Sequence, residues 1–325
     1  MTKKRYLIPE DFHADPSVHI FNGKIHIYPS HDWDNADSEN DNGDQYDMKD
    51  YHCFTIDGDP MTGKVIDHGV ILSVEDIPWA GRQLWDCDIQ ERDGKYYLYF
   101  PLKDRNDIFR MGVAIADKPT GPFKCMPYPI HGSYSIDYAC LKDDKDGEYY
   151  MYFGGIWGGQ LQRYVDNKAV EAPYLPQGKE KAISPRVVKM NKDMVSFAEE
   201  PKAIKIVDEK GEELTAENPY RFFEASWMHK YKGKYYFSYS TGDTHMICYA
   251  VGDNPYGPFT YQGVVLTPVA VGWTTHHCIV EWEGKWYLFH HDSVPSGKSW
   301  LRSLKVCELE YDENGKIKTI EGADK

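Results

Sequence analysis

Five glycines, Gly23, Gly94, Gly147, Gly233 and Gly284, each follow an ionisable residue by eight to ten positions. Those residues are Asp15 in His13-Ala-Asp-Pro-Ser17, Asp86 in Leu84-Trp-Asp-Cys-Asp88, Asp137 in Ser135-Ile-Asp-Tyr-Ala139, Glu224 in Phe222-Phe-Glu-Ala-Ser226 and His276 in Thr274-Thr-His-His-Cys278. Taken singly, most have an ordinary explanation. Asp before Pro-Ser is a common turn former, Asp86 shares a strand face with Asp88, and His276 and His277 could both be core histidines. Glu224 is harder to dismiss, because Phe222, Phe223 and Trp227 frame it and burial there would raise its pKa. Asp137, between Ile136 and Tyr138, is similar. The shared register across five units favours function. Carboxylates converging on one pocket with aromatics suit glycoside hydrolysis. One acid, kept protonated by apolar surroundings, donates to the leaving oxygen; another, ionised, takes a proton from water or attacks the sugar.

The elements that must position these residues are visible as a fivefold repeat. Its units are Ile20-Phe-Asn-Gly-Lys-Ile-His-Ile-Tyr28, Gln90-Glu-Arg-Asp-Gly-Lys-Tyr-Tyr-Leu-Tyr-Phe100, Asp143-Asp-Lys-Asp-Gly-Glu-Tyr-Tyr-Met-Tyr-Phe153, His229-Lys-Tyr-Lys-Gly-Lys-Tyr-Tyr-Phe-Ser-Tyr239 and Val280-Glu-Trp-Glu-Gly-Lys-Trp-Tyr-Leu-Phe-His290. Each reads as a strand, a tight polar-Gly turn and an aromatic strand of period two, and Asn-Gly or Asp-Gly suits a type I′ turn. Spacings of 71, 53, 86 and 51 residues between the glycines fit four-stranded blades of roughly 40–50 residues plus insertions. The expected fold is therefore all-β, one five-bladed β-propeller domain over residues 1–325 without a C-terminal β-sandwich. A two-sheet sandwich is the competing all-β architecture. Two further related segments, 116–123 and 252–259, read as turns into outer strands. Residues 168–205 read as a long insertion between strands, and the acidic run 32–50 as a solvated loop without the ligand order of an EF-hand.

The chain resembles glycoside hydrolase family 43, the five-bladed β-xylosidases, α-L-arabinofuranosidases and arabinanases, from His13 to about Ile320. Ala14-Asp-Pro-Ser17 is similar to the family's general-base motif, which implies that Asp15 activates water. Ser135-Ile-Asp-Tyr138 matches the third carboxylate, so Asp137 would orient the acid and raise its pKa. Phe223-Glu-Ala-Ser226 matches the general-acid motif and makes Glu224 the acid, although the family often has Gly-Pro where Ala225-Ser226 stand here. Arg302 matches an arginine near the base. The resemblance further implies inversion by single displacement. It also implies a divalent cation in the channel, calcium first with magnesium or manganese as alternatives, held by His276 or alternatively His277. Trp79, Trp85, Phe223 and Trp273, with Asp86, are candidates for binding substrate; each aromatic could equally be core. The implied activity is exo-acting β-D-xylosidase on β-1,4-xylo-oligosaccharides, with α-L-arabinofuranosidase activity as companion or alternative. The insertion at residues 31–57 is expected to wall the site, with a neighbouring subunit of a homo-oligomer as a further candidate wall. A non-catalytic glycan-binding propeller remains a reading of a different class.

Composition narrows the remaining classes. A formal net charge of −14 repels phosphate backbones and argues against nucleic acid as a partner. Tyr, Trp and Phe make up 14% of the chain, which favours pleated sheet and offers rings for sugars to stack on. Seven cysteines, an odd number with no CxxC pair, point to buried thiols rather than a disulfide frame or zinc site. The basic start is followed by no apolar run of signal-peptide length and no stretch approaches a membrane span, so a cytoplasmic location without membrane contact is expected.

Overall fold

A computed structural model describes residues 2–36 and 38–323. Its strands form five blades, antiparallel but for one added outer strand, around a common axis, with a separate two-stranded ribbon, Tyr164–Val165 with Lys168–Ala169. Blade I runs outward through His13–Phe21, Lys24–His31, Asp50–Asp57 and Lys64–Ser73. Blade II comprises Asp88–Arg92 with Ala80–Leu84 ahead of it, then Lys95–Asp104, Phe109–Ala116 and Lys124–Cys125. Blade III comprises Ala139–Lys142, Tyr149–Phe153, Arg186–Lys189 and Lys202–Ala203. Blade IV comprises Phe222–Tyr231, Lys234–Thr241, Ile247–Gly252 and Phe259–Leu266, with Ile206–Val207 added in parallel outside. Blade V comprises His277–Trp282, Lys285–Asp292 and Ser303–Leu309, and takes its fourth strand, Lys4–Tyr6, from the other end of the chain. The innermost strand of every blade neighbours those of the two adjacent blades, so the ring is closed. The sandwich alternative is thereby excluded.

The repeat folds this way because its turns and its aromatic faces agree. Asn22-Gly23, Asp93-Gly94, Lys232-Gly233 and Glu283-Gly284 all have both turn residues at positive φ, the type I′ condition that matches strand twist. The third hairpin differs. Its strands end at Lys142 and resume at Tyr149, and only Gly147 of the loop has positive φ, so a six-residue loop replaces the expected two-residue turn. Apolar side chains fill the gaps between blades. Val18, Ile25 and Ile27 of blade I pack in one cluster with Ile279, Leu288 and Val306 of blade V. Each such buried side chain contributes about 1.5–3 kcal/mol of transfer free energy.

The two related turns do lead to outer strands: each holds a cis Gly–Pro bond followed by a buried phenylalanine, Phe123 or Phe259. Two expectations need correction. Residues 168–205 are not one insertion. They contain Arg186–Lys189 and Lys202–Ala203, the third and fourth strands of blade III, hidden because each is short. Nor is the acidic run 32–50 simply solvated: Asp32, Gln45, Tyr46, Met48 and Asp50 are buried, because the loop folds inward over the propeller mouth. None of the seven cysteines forms a disulfide among the described residues.

Candidate active site

In blades I to IV the chain is irregular where the ionisable residue stands; in blade V His276 immediately precedes a regularly paired strand. The pairing register of blade I slips between Ala14 and Ser17, and Asp15 has φ 47°. Blade II breaks its inner strand between Leu84 and Asp88, leaving Asp86 in the gap. Asp137 has φ 60° just before the blade III strand begins, and Ala225, beside Glu224, also has φ 60°. The register in blade IV slips on both sides of Glu224. Such bulges and left-handed residues re-aim side chains and are held only where the surroundings enforce them. Their result is one cavity of ≈ 130 Å³ whose lining includes Asp15, Asp86, Asp137, Glu224, His276 and Arg302. Asp88 faces elsewhere: its carboxylate accepts from Ser17 Oγ, His19 Nε2 and the Cys140 N–H, each at 2.6 Å, tying blades I, II and III together.

The charges in this cavity are unequally matched. Arg302 is buried and donates from Nη1 to Asp15 Oδ1 at 2.7 Å. Its Nη2 and Nε donate to the two oxygens of Asp32 at 2.7 and 2.9 Å, and Tyr46 lies against the guanidinium. Burial alone would raise the pKa of Asp15, but Arg302, with His276 beside it, overrides it and holds the carboxyl far below its ordinary value. His276 Nδ1 lies 3.5 Å from Asp15 Oδ1. His291 is no ion-pair partner despite an equal distance. Its Nδ1 accepts the Asp15 N–H at 3.2 Å and its Nε2 faces the Thr274 carbonyl at 3.1 Å, which defines the neutral Nε2–H tautomer. Burial and the nearby Arg302 lower its pKa to about 3.

Glu224 experiences the reverse. Burial, then the charges of Asp137 and Asp15, push its pKa well above the carboxylate range, with Arg302 opposing. Asp137 accepts the Ala225 N–H on Oδ2 at 2.6 Å, which fixes it beside the acid. Burial raises Asp137 too, while His276, a hydrogen bond from Asp86 and the Ala225 N–H pull it back. Asp86, pushed far up by burial and then by Asp137, is the protonated partner of that pair. One cavity thus presents an ionised carboxylate, Asp15, and a protonated one, Glu224: the separation of pKa values that marks a base and an acid.

Of the aromatic candidates, Trp85, Phe223 and Trp273 line the cavity with Asp86. Trp273 is exposed at the mouth against His245, and Trp85 is buried, donating from Nε1 to the Tyr46 carbonyl at 2.6 Å. Trp79 does not line it. It is half-buried, stacks on Phe100 at 6.2 Å and packs against the core between blades I and II. His277, the alternate metal residue, is fully buried between blades and bonds Ser238 Oγ through Nε2 at 2.6 Å; His276 is the one that faces the cavity. Sequence reasoning missed Asp32, His291, Tyr46 and Trp157. The first two stand at the ends of aromatic second strands, a register that would have found them.

Residues 66–317 match the family model of glycosyl hydrolases family 43. The chain belongs to glycoside hydrolase family 43. The matched stretch begins after the strand that carries Asp15, and relatives that match over 99% of this family 43 chain cover that strand. A xylosidase/arabinosidase of Bacteroides ovatus is 68% identical over 99% of both chains. Among solved structures, RS223-Beta-xylosidase is 64% identical over all of both chains, with a TM-score of 0.97. CoXyl43, a beta-xylosidase/alpha-arabinofuranosidase from a compost microbial metagenome solved with xylotriose in a calcium-free form, is 56% identical over 99% of this chain and 98% of its own, with a TM-score of 0.95.

Proposed function

We propose that this enzyme is an inverting, exo-acting β-D-xylosidase on short β-1,4-xylo-oligosaccharides, with α-L-arabinofuranosidase activity as a companion. The observation that carries it is the opposite displacement of Asp15 and Glu224 around one small cavity. Glu224 enters the reaction protonated and gives its proton to the glycosidic oxygen as the bond to the anomeric carbon breaks. Asp15, ionised, takes a proton from the water that attacks the opposite face. Asp137 is a positioning residue: it holds the backbone beside Glu224 and its charge keeps the acid protonated. Asp32 acts through Arg302, fixing the guanidinium that keeps Asp15 ionised.

Exo action follows from the shape of the wall. The cavity is small beside the roughly 300–1,000 Å³ of drug-sized pockets. Loop residues Asn40, Gly43, Gln45 and Tyr46 close one side. A Cβ at Gly43 would lie 2.6 Å from the Trp85 ring, and one at Gly158 3.0 Å from the same ring and 3.3 Å from Asn42, so two backbones meet over Trp85 and leave no groove for a continuing chain. The paired xylosidase and arabinosidase names of the similar proteins support two pentoses in this pit.

His276 is the residue we assign to a divalent cation, calcium before magnesium or manganese. The surroundings fit one. Asp15, Asp86, Asp137 and Glu224 share the cavity with Arg302 as guanidinium, and Asp86 Oδ1 is buried without a hydrogen-bond partner among the described residues. Calcium prefers oxygen donors, and His276 with water completes a weak, exchangeable set. When bound, such an ion would supply positive charge to the cavity that the carboxylates share.

The test is wild-type enzyme on xylotriose, followed by proton NMR. Xylose released from the non-reducing end and appearing first as the α anomer is expected. The β anomer appearing first would contradict inversion, and internal cleavage of longer xylo-oligosaccharides would contradict exo action.

A further inference from the structure

Outside the cavity, a second group of metal-binding side chains has no part in this chemistry. Three neighbouring strands of blade I bring His13, His31 and His52 together. The His13 and His31 rings stack with centroids 4.7 Å apart, and His52 meets them edge-on at 5.5 and 5.2 Å. Asp11, just ahead of the first strand, faces two of the rings: its Oδ2 lies 3.5 Å from His13 Nε2 and 3.4 Å from His31 Nε2.

The hydrogen bonds on the far side of each ring decide what those nitrogens can do. His13 Nδ1 bonds the Ser30 carbonyl at 3.2 Å, and His31 Nδ1 bonds Asp50 Oδ1 at 2.6 Å. Both partners only accept, so each Nδ1 carries the proton. In the neutral rings both Nε2 lone pairs then point at one carboxylate oxygen, an arrangement that needs a cation between them. The spacing fits a metal better than a shared proton. Charge-assisted hydrogen bonds measure about 2.7–2.9 Å. Ligands of a tetrahedral ion with bonds of about 2.0–2.2 Å lie about 3.3–3.6 Å apart along each edge. The His31–Asp50 bond is also the carboxylate–histidine contact that orients metal-bound imidazoles.

We propose that blade I holds a zinc-class divalent ion through His13 Nε2, His31 Nε2 and Asp11, with water as the fourth ligand and Asp50 and His52 in support. Imidazole with one carboxylate suits zinc better than calcium, so this site differs in chemistry from that at His276. Its place in the fold suggests its work. His13 stands two residues before Asp15, and His31 immediately precedes Asp32, so the ion staples the two strand ends that carry the base and the anchor of Arg302. Asp11, with its side chain 45% exposed, gives the ion a way in.

The full-length enzyme, first saturated with calcium, is titrated with Zn²⁺ by calorimetry and with Co²⁺ by visible absorption. One equivalent is expected, with the intense bands of four-coordinate cobalt and a higher melting temperature in zinc. Asp50→Asn should weaken zinc binding by about 10–100-fold, and Asp11→Ala, a change at an exposed position that leaves the core intact, by at least as much. His276→Asn should retain the equivalent. Failure of folded wild type to take up zinc would overturn the proposal. So would unchanged affinity in Asp11→Ala, a six-coordinate cobalt spectrum, or loss of the equivalent in His276→Asn but not in Asp11→Ala.

Discussion

Replacing Arg302 with Gln tests the electrostatics on which the base depends. In the wild type opposed effects act on Asp15: burial, the largest single one, raises its pKa, while Arg302, 2.7 Å away, and His276 lower it, and the sum leaves it far below its ordinary value. Charge centres about 4 Å apart at an effective dielectric of about 20 interact by about 4 kcal/mol, or about 3 pKa units at about 1.36 kcal/mol each. Without the guanidinium, the carboxyl therefore climbs by about that much, back toward its ordinary value. The base must be ionised, so the acid limb of kcat/KM moves to higher pH, and the alkaline limb set by Glu224, relieved of the opposing Arg302 charge, moves the same way. The sign for stability follows the same linkage. A carboxylate with a depressed folded pKa stabilises above its unfolded pKa and loses that contribution as pH falls through the folded value. In the variant the folded pKa returns toward the unfolded one, so most of that contribution is lost. The stability gap between wild type and variant should be full at pH 7 and close as pH falls below about 4. At pH 7 it should reach about 3–5 kcal/mol, the range for breaking a buried ion pair. Urea denaturation and the pH profile of kcat/KM on 4-nitrophenyl β-D-xyloside measure both. A uniform loss of activity at every pH, with the acid limb unmoved, would refute the reasoning.

Other outcomes follow from the same geometry. Asp137→Asn removes the charge that, after burial, does most to raise Glu224; the alkaline limb of kcat/KM should move to lower pH, and an unmoved limb would deny Asp137 that influence. Trp273→Ala, at the exposed mouth, should raise KM with little change in melting temperature. Trp79→Ala, half-buried against Phe100, should lower the melting temperature more than Trp273→Ala and leave KM alone; equal effects of the two on KM would contradict their placement. Chelation with EDTA should lower turnover, restored by calcium, and His276→Asn should lose calcium binding by calorimetry as well as the metal response.

The legible part of the molecule was the part that repeats. Five Gly turns with aromatic second strands announced five blades, and the fixed offset before each turn brought Asp15, Asp86, Asp137, Glu224 and His276 to one cavity. Residues outside that offset were hidden. Asp32 sits in an acidic run that looks solvated, and only the inward fold of its loop onto Arg302 reveals it as buried. Arg186–Lys189 and Lys202–Ala203 are too short to alternate recognisably. The closing strand Lys4–Tyr6 pairs with Lys305–Cys307 across nearly the whole chain, and no local pattern encodes such a partner. Trp79 and Trp85 look alike in sequence, yet only the break in blade II turns Trp85 to the cavity and leaves Trp79 against the core.

The central claim is that Glu224 is the acid and Asp15 the base. Its most direct test compares Glu224→Gln with wild type on two substrates, xylobiose and 2,4-dinitrophenyl β-D-xyloside. A sugar leaving group needs a proton and dinitrophenolate does not. The account predicts a loss of about 10²–10⁴-fold on xylobiose, the usual worth of general acid catalysis, and a much smaller loss on the aryl xyloside. An equal loss on both substrates would contradict it and remove Glu224 from the role of acid.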